Sequence, residues 1–335
     1  VTGDATSPLF KVEEGGKLDF TSAGASSYST IETSGTAIEV AGGEVSIDTG
    51  KINATGDKPA ITVGKDAELT ISGGKITGSN GQPAIDAANG ATVVIPEDSK
   101  AEIKSEGGNA AIDLAPGASV QQGDNTITVA PVEDESASNY VDNHGNIVLE
   151  SGSEDGKVAP NTVIQPDGTA ISGKNDLPTV DSEGNVTVPE GGATITNPEG
   201  DKVEVDSDTE IPSIVIGVKD AETGKVETSK SIKLGGGTLT LETAVFDSEI
   251  NFDEYTCTSV TSNPANIVTT ELQENGTVLV TPVSTGTATI TATYAKDNGA
   301  AEGIALLDEG EATADDTLTA TFNVTVENES SGGGG

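Results

Sequence analysis

The chain has 335 residues, of which 55 are acidic and 16 are basic, all of the latter lysine, so its formal net charge is −39. A nucleic-acid-binding surface needs clustered Lys and Arg to neutralise phosphate, and this composition therefore argues against DNA and RNA as partners. No apolar run approaches the roughly 18 residues that a membrane-spanning helix needs, and the single cysteine, Cys257, cannot form an internal disulfide.

Residues 37–129 repeat one short phrase of alternating apolar and polar residues. Four copies of an Ala-Ile pair, spaced 23, 24 and 27 residues apart, begin at Ala37, Ala60, Ala84 and Ala111. A repeat of this length is typical of a solenoid, in which each coil buries its apolar face by stacking on the next. Phe10 and Phe20 fit the inward positions of an opening coil. We therefore predict an all-β protein with a parallel β-helix of about five coils over residues 1–130.

Stacked coils place equivalent positions beside one another, so outward side chains should form columns. One predicted column contains Lys11, Glu39, Thr62, Asp86 and Asp113, and a second contains Asp19, Ser46, Thr70 and Val94. Regularly spaced hydroxyl and carboxylate groups can hydrogen-bond to a carbohydrate, which makes four residues candidates for ligand binding: Glu39, Thr62, Asp86 and Asp113. Residues 37–129 contain no aromatic side chain to stack on a sugar ring, however, and a solvated surface is an equally good explanation.

A weaker repeat follows the last coil. Residues 141–147 resemble 180–186, and residues 162–168 resemble 194–200. Each copy combines a short strand with a turn rich in Asn, Asp, Pro or Gly. We predict a connector of short hairpins over residues 131–210, because its apolar content is too low for a core of its own.

Three clusters of oxygen-bearing side chains in this connector are candidates for Ca²⁺, the only cofactor that the sequence suggests. The first is the alternating trio Asp206, Asp208 and Glu210, which a strand would place on one face. The other two, on Gly-containing turns, are Asp142, Asn143 and Asn146, and Asp181, Glu183 and Asn185. None has the spaced Glu of an EF-hand loop, and turn formation is the favoured explanation for each.

Seven strand-like runs separated by turn residues lie within residues 211–329, a pattern typical of an immunoglobulin-like sandwich. The most specific phrase is Gly286-Thr287-Ala288-Thr289-Ile290-Thr291-Ala292. It is preceded by Gly237-Thr238-Leu239-Thr240-Leu241, by Ser262-Asn263-Pro264-Ala265-Asn266-Ile267-Val268 and by Asn275-Gly276-Thr277-Val278.

On these phrases, residues 231–327 resemble the bacterial Ig-like group 2 domains. The chain departs from the family at Cys257, near the position where a Trp is usual, and in an acidic insertion at residues 297–316. Domains of this family recur as stalk and spacer modules, so the resemblance implies an extracellular location on a bacterial cell surface.

Both ends of the chain bear on its processing. Residues 330–335 have the Gly/Ser composition of a flexible linker, which fits either a natural spacer or a cloning remnant. The chain begins at Val1 and contains no Met and no leader-like segment, so we expect a mature or excised fragment.

Catalysis has to be considered separately, because parallel β-helices include many polysaccharide-cleaving enzymes. Lyases of that shape use Arg or Lys with calcium, and hydrolases use grouped Asp with a His. Arg is absent here, and the only histidine, His144, lies beyond the regular coils. Asp86 and Asp113 could serve as acid and base, but stacking alone places them on adjacent strands.

We therefore predict a non-enzymatic bacterial surface protein for adhesion or ligand display, with a β-helix as recognition unit and an Ig-like stalk. Its expected partners are a host or environmental glycan or protein, or copies of itself. The first alternative is a self-assembling surface-layer or filament subunit, because open solenoid ends and sheet edges can pair. The second alternative is a fragment of a glycan-active β-helix enzyme.

Overall fold

The computed structural model describes residues 2–3, 7–21, 29–131, 137–207, 211–297 and 317–328. Within these ranges the protein is all-β, and its one helical element is a short 3-10 turn at Phe252–Glu254. No helix in the same ranges is long and apolar enough to cross a membrane. The chain divides into two compact units, Val1–Ala193 with Asp206–Asp208 and Thr194–Val205 with Thr209–Gly335.

The first unit contains a β-solenoid with three faces, each a stack of five parallel strands. Face 1 consists of β1 (Thr2–Gly3), β4 (Thr30–Thr33), β7 (Lys51–Ala54), β10 (Lys75–Gly78) and β13 (Glu102–Ser105). Face 2 consists of β2 (Phe10–Glu13), β5 (Ile38–Ala41), β8 (Ile61–Val63), β11 (Ile85–Ala87) and β14 (Ala110–Leu114). Face 3 consists of β3 (Lys17–Phe20), β6 (Glu44–Ile47), β9 (Glu68–Ile71), β12 (Thr92–Ile95) and β15 (Ser119–Gln122).

The solenoid has about four turns, one fewer than the five coils predicted from the sequence. The difference arises because five stacked strands are joined by four complete circuits of the chain. On face 2 the four circuits start from Phe10 and arrive in register at Ile38, Ile61, Ile85 and Ile112.

The core of the solenoid is a set of internal columns of like side chains. Ile38, Ile61, Ile85 and Ile112 form one such column and are fully buried. The side chains of a strand alternate in direction, so burial of these residues turns their polar neighbours outward. The corners between strands stack closely: a Cβ on Gly56 would lie 2.0 Å from the carbonyl oxygen of Ser34 in the preceding coil.

Antiparallel strands continue the solenoid beyond its last coil. They are β16 (Asn125–Thr128), β17 (Asn139–Asp142), β18 (Ile147–Leu149), β19 (Thr162–Ile164) and β20 (Ala170–Gly173), followed by a hairpin of β21 (Thr179–Val180) and β22 (Val186–Thr187). β16 pairs with β15 on face 3, whereas β17 pairs with β14 and extends face 2. Val141, Ile147 and Leu149 belong to the same hydrophobic cluster as the solenoid core. Part of the segment that we predicted as a connector therefore packs with the coils.

The second unit has two β-sheets that enclose a separate hydrophobic core. The five-stranded sheet consists, in spatial order, of β26 (Val226–Glu227), β25 (Ile214–Lys219), β28 (Leu239–Val245), β31 (Val278–Pro282) and β30 (Val268–Leu272). The four-stranded sheet consists of β27 (Ser229–Lys233), β33 (Thr317–Glu327), β32 (Gly286–Lys296) and β29 (Tyr255–Asn263). β23 (Ala193–Thr196) and β24 (Lys202–Val205) precede these strands in the chain and pair with each other.

Candidate functional site

The outward residues of face 2 form the predicted column. Strand register aligns Lys11 with Glu39, Glu39 with Thr62, Thr62 with Asp86 and Asp86 with Asp113. The second predicted column also forms on face 3, where Asp19, Ser46, Thr70 and Val94 are aligned. Both columns are therefore confirmed as structural features, and the face 2 column brings together all four predicted ligand-binding residues.

At the start of the face 2 column, one lysine is shared between two carboxylates. The Lys11 Nζ atom lies 3.3 Å from the Glu39 carboxylate and 3.0 Å from that of Glu13. Hydrogen bonds raise the pKa of Lys11, and the bond to Glu13 has a larger effect than the bond to Glu39. Glu39 therefore already has a cationic partner and is the least available of the four candidates.

Asp86 and Asp113 differ from Glu39 because no salt bridge in the described part of the chain neutralises them. Burial raises the pKa of both carboxyl groups, and the charge of Asp86 raises that of Asp113 further. The backbones of adjacent strands in a sheet lie about 4.8 Å apart. The two side chains thus form a carboxylate pair whose charge would be relieved by a hydrogen-bond donor or a proton.

Tyr140 extends this column and is a site residue that the sequence analysis missed. In β17 it lies directly opposite Asp113, while the next residue, Val141, points into the core. Burial raises the pKa of the Tyr140 hydroxyl, and the negative charge of the neighbouring Asp142 raises it further. The sequence repeat could not identify Tyr140, because the 23- to 27-residue period had already ended, and its outward position follows only from the burial of Asn139 and Val141 on either side.

Together these residues place a hydroxyl, two carboxylates and an aromatic ring in sequence along one face. We call Thr62, Asp86, Asp113 and Tyr140 the ladder site. Carboxylates accept hydrogen bonds from sugar hydroxyls, and a tyrosine ring offers an apolar surface with a polar edge. This arrangement is suited to recognition of a polyhydroxylated ligand along the solenoid.

The candidate calcium clusters have different outcomes. Asp206 is exposed, whereas Asp208 and Glu210 lie outside the described residues, so their predicted grouping stays a prediction. Across the described ranges, no group of three or more His, Cys, Asp or Glu side chains could hold a metal ion.

The two turn clusters use their carboxylates to build the turns themselves. Asp142 Oδ1 accepts hydrogen bonds from the backbone N–H groups of His144 at 2.7 Å and Asn146 at 2.9 Å, and its Oδ2 accepts one from Asn146 Nδ2 at 2.8 Å. Asp181 makes the equivalent bonds to Glu183 and Asn185. The repeated sequence motif is therefore a repeated Asx-type turn, as the favoured explanation predicted.

These two turns also contact each other. Asn146 Nδ2 donates to the Gly184 carbonyl oxygen at 3.2 Å, and His144 Nε2 lies 3.1 Å from the Ser182 carbonyl oxygen. His144 thus has a structural neighbour in the second turn.

Comparison of the chain with protein-family models, with curated proteins and with solved structures finds no match. The resemblance of residues 231–327 to bacterial Ig-like group 2 domains accordingly stays a prediction. The ladder site is the feature of the molecule from which a function can be argued.

Proposed function

We propose that this protein is a non-enzymatic, extracellular bacterial surface protein that binds a glycan at the ladder site. The observation that carries the proposal is the pair Asp86 and Asp113, which forms no salt bridge with any described residue and lies between Thr62 and Tyr140. Each of these four residues offers a group that a sugar can use, whether by hydrogen bonding or by stacking.

The charge of the protein narrows the class of glycan. A net charge of −39 and the carboxylates of Asp86 and Asp113 would repel uronic acid, sulfate or phosphate groups. A neutral glycan avoids this repulsion, and an amino sugar adds an ion pair with Asp86 or Asp113. The proposed ligand is therefore a neutral or amino-sugar-containing glycan that lies along the column.

The second unit is proposed to be an Ig-like group 2 domain that serves as a stalk. Its two sheets and the core between them are consistent with a sandwich of this type. The stalk role and the bacterial surface location rest on the sequence resemblance.

A glycan array carrying neutral, amino-sugar and acidic structures tests the proposal. We expect binding to neutral or amino-sugar glycans, with at least about tenfold weaker binding for Tyr140→Ala, because aromatic contacts dominate many binding surfaces. Asp113→Asn should weaken amino-sugar binding more than neutral-glycan binding, since it removes a charge but keeps an acceptor. Thr70→Ala, in the face 3 column, is the matched control and should leave binding unchanged.

Two outcomes would overturn the proposal. A blank array would leave the ladder site as a solvated surface, and equal losses for Tyr140→Ala and Thr70→Ala would show that binding occurs elsewhere. The same samples also test catalysis, because backbones about 4.8 Å apart bring Asp86 and Asp113 near the roughly 5 Å carboxyl separation of retaining glycosidases. If the protein shortens polysaccharide chains and Asp113→Asn abolishes this shortening, the ladder site is a hydrolytic site and not only a binding site.

A further inference from the structure

The outer surface of the four-stranded sheet in the second unit carries uncharged rows of hydroxyl side chains, which are bounded at one end by the Lys233–Glu327 ion pair. On β32 and β33, strand register aligns Thr287 with Thr325, Thr291 with Thr321, and Thr293 with Thr319. The outward positions of β27 and β29 beside these rows hold only Ser, Thr or Asn. We call this surface the threonine face. Its inward neighbours, such as Phe322, belong to the core.

The absence of charge from these rows contrasts with the outer surface of the five-stranded sheet of this unit. On the five-stranded sheet, the exposed Glu242 and Glu271 alternate with the core residues of β28 and β30. Asp and Glu outnumber Lys by 55 to 16 in the whole chain. A second molecule would therefore meet less electrostatic repulsion at the threonine face than at the outer surface of the five-stranded sheet.

Hydroxyl groups are also self-complementary, because each both donates and accepts a hydrogen bond. The hydroxyls of Thr287 and Thr325 already lie 3.2 Å apart, and Thr289 donates to Asn323 at 2.9 Å. Threonine is stiff at χ1, so its methyl group can pack at little cost in side-chain entropy. Two identical threonine faces could satisfy each other, whereas two acidic faces could not.

The size of the face sets the expected strength of such a contact. Four strands at about 4.8 Å spacing and four rows at about 6.8 Å cover roughly 500 Å². A stable interface buries about 800 Å² per partner, so association should be weak and reversible.

We propose that the threonine face joins two copies of this chain, face to face, in a weak symmetric dimer. This inference does not depend on glycan binding, because it concerns the second unit. Since the copies repel each other through their net charge, screening by salt should strengthen the dimer. An interface held by ion pairs would respond in the opposite direction.

Sedimentation velocity of the whole chain, from micromolar to near-millimolar concentration and at low and high NaCl, tests this proposal. Thr321→Glu places a charge in the middle of the array and should weaken association at least about tenfold, because like charges then meet across the interface. Thr321→Val keeps the shape and removes the hydroxyl, so its effect should be only a few-fold. Thr240→Glu makes the same charge change at an exposed position on the five-stranded sheet and should have little effect.

Circular dichroism of each variant confirms that the fold is kept, and Thr319→Glu replaces Thr321→Glu if the latter does not fold. Monomers at every concentration and salt level would overturn the proposal. So would equal weakening by Thr321→Glu and Thr240→Glu, or a dimer that dissociates as salt rises. Binding of a neutral glycan to the threonine face without dimerisation would also overturn it, because the surface would then be a glycan-binding site.

Discussion

The solenoid and the two-sheet unit are both built from β-strands, but their apolar residues find different neighbours. In the solenoid, Ile85 lies between Ile61 and Ile112, the equivalent residues of the adjacent coils. In the second unit, Phe322 packs in a core to which strands distant in sequence contribute, including Leu241 and Tyr294. One core is a stack of like residues at short sequence separation, and the other joins unlike residues at long separation.

This difference also determines how a regular pattern of surface side chains arises in each unit. In the solenoid the repeat that aligns the core also aligns the outward residues, so a polar column is inherited directly from the period. In the second unit, antiparallel pairing aligns residues that have no fixed spacing along the chain. The threonine face therefore arises from register between strands and has no counterpart as a sequence repeat.

The largest expected effects on stability come from truncating a buried side chain in either core. Ile85→Ala and Phe322→Ala each remove a fully buried side chain and should cost about 2–5 kcal/mol of unfolding free energy. We expect Ile85→Ala to increase hydrogen exchange mainly in neighbouring coils, because solenoid repeats contact only their neighbours. Phe322→Ala should increase exchange throughout the second unit.

Hydrogen exchange measured by mass spectrometry on peptides from both units distinguishes these patterns. Equal loss of protection across the whole chain for either variant would contradict the comparison. It would mean that the two cores unfold as one cooperative unit.

How far the sequence predicts this molecule follows from the same contrast. The column that contains Glu39, Thr62, Asp86 and Asp113 was predictable, because a period of about 24 residues defines both the strands and their register. Tyr140 was not, since it joins the column through an antiparallel strand after the period ends.

The salt bridge of Glu39 was only partly predictable. The period placed Lys11 beside Glu39, but only the side-chain geometry shows that Lys11 also contacts Glu13. In the second unit, the sequence indicated strands and an abundance of Thr. It could not indicate that Thr291 and Thr321 share a row, because strand pairing over 30 residues depends on the folded topology.

Glycine substitutions in the two units should change the free energy of unfolding by less than the core substitutions do. Gly56→Ala would force a Cβ to within 2.0 Å of the Ser34 carbonyl oxygen and should cost about 1–3 kcal/mol by overpacking the corner. Gly237→Ala in the second unit meets no atom within 4 Å and should be neutral or stabilising by up to about 1 kcal/mol. Urea unfolding of both variants measures the difference, and a Gly56→Ala protein as stable as Gly237→Ala would show that the corners are less tightly stacked.

The smallest expected effect concerns the ladder site. Burial raises the pKa of Asp86 and Asp113, so the folded protein binds these two protons more tightly than the unfolded chain does. Stability then falls as pH rises from the unfolded value of about 3.9 through the raised pKa values, and the loss is complete at neutral pH. Asn cannot ionise, so Asp86→Asn and Asp113→Asn should each stabilise the solenoid at pH 7, by a few tenths of a kcal/mol after solvent screening.

Asp181 provides a control of opposite sign within the same unit. Hydrogen bonds from Asn185 and Glu183 lower the pKa of Asp181, so its charged form stabilises the folded state above the unfolded pKa and that contribution disappears as pH falls. Asp181→Asn should therefore lower the thermal midpoint at pH 7, whereas Asp86→Asn and Asp113→Asn raise it, and all three differences should shrink towards about pH 3. If the ladder variants instead lowered the midpoint at pH 7, the two carboxylates would be holding a stabilising partner in the free protein, and the ladder site would not be available to a glycan.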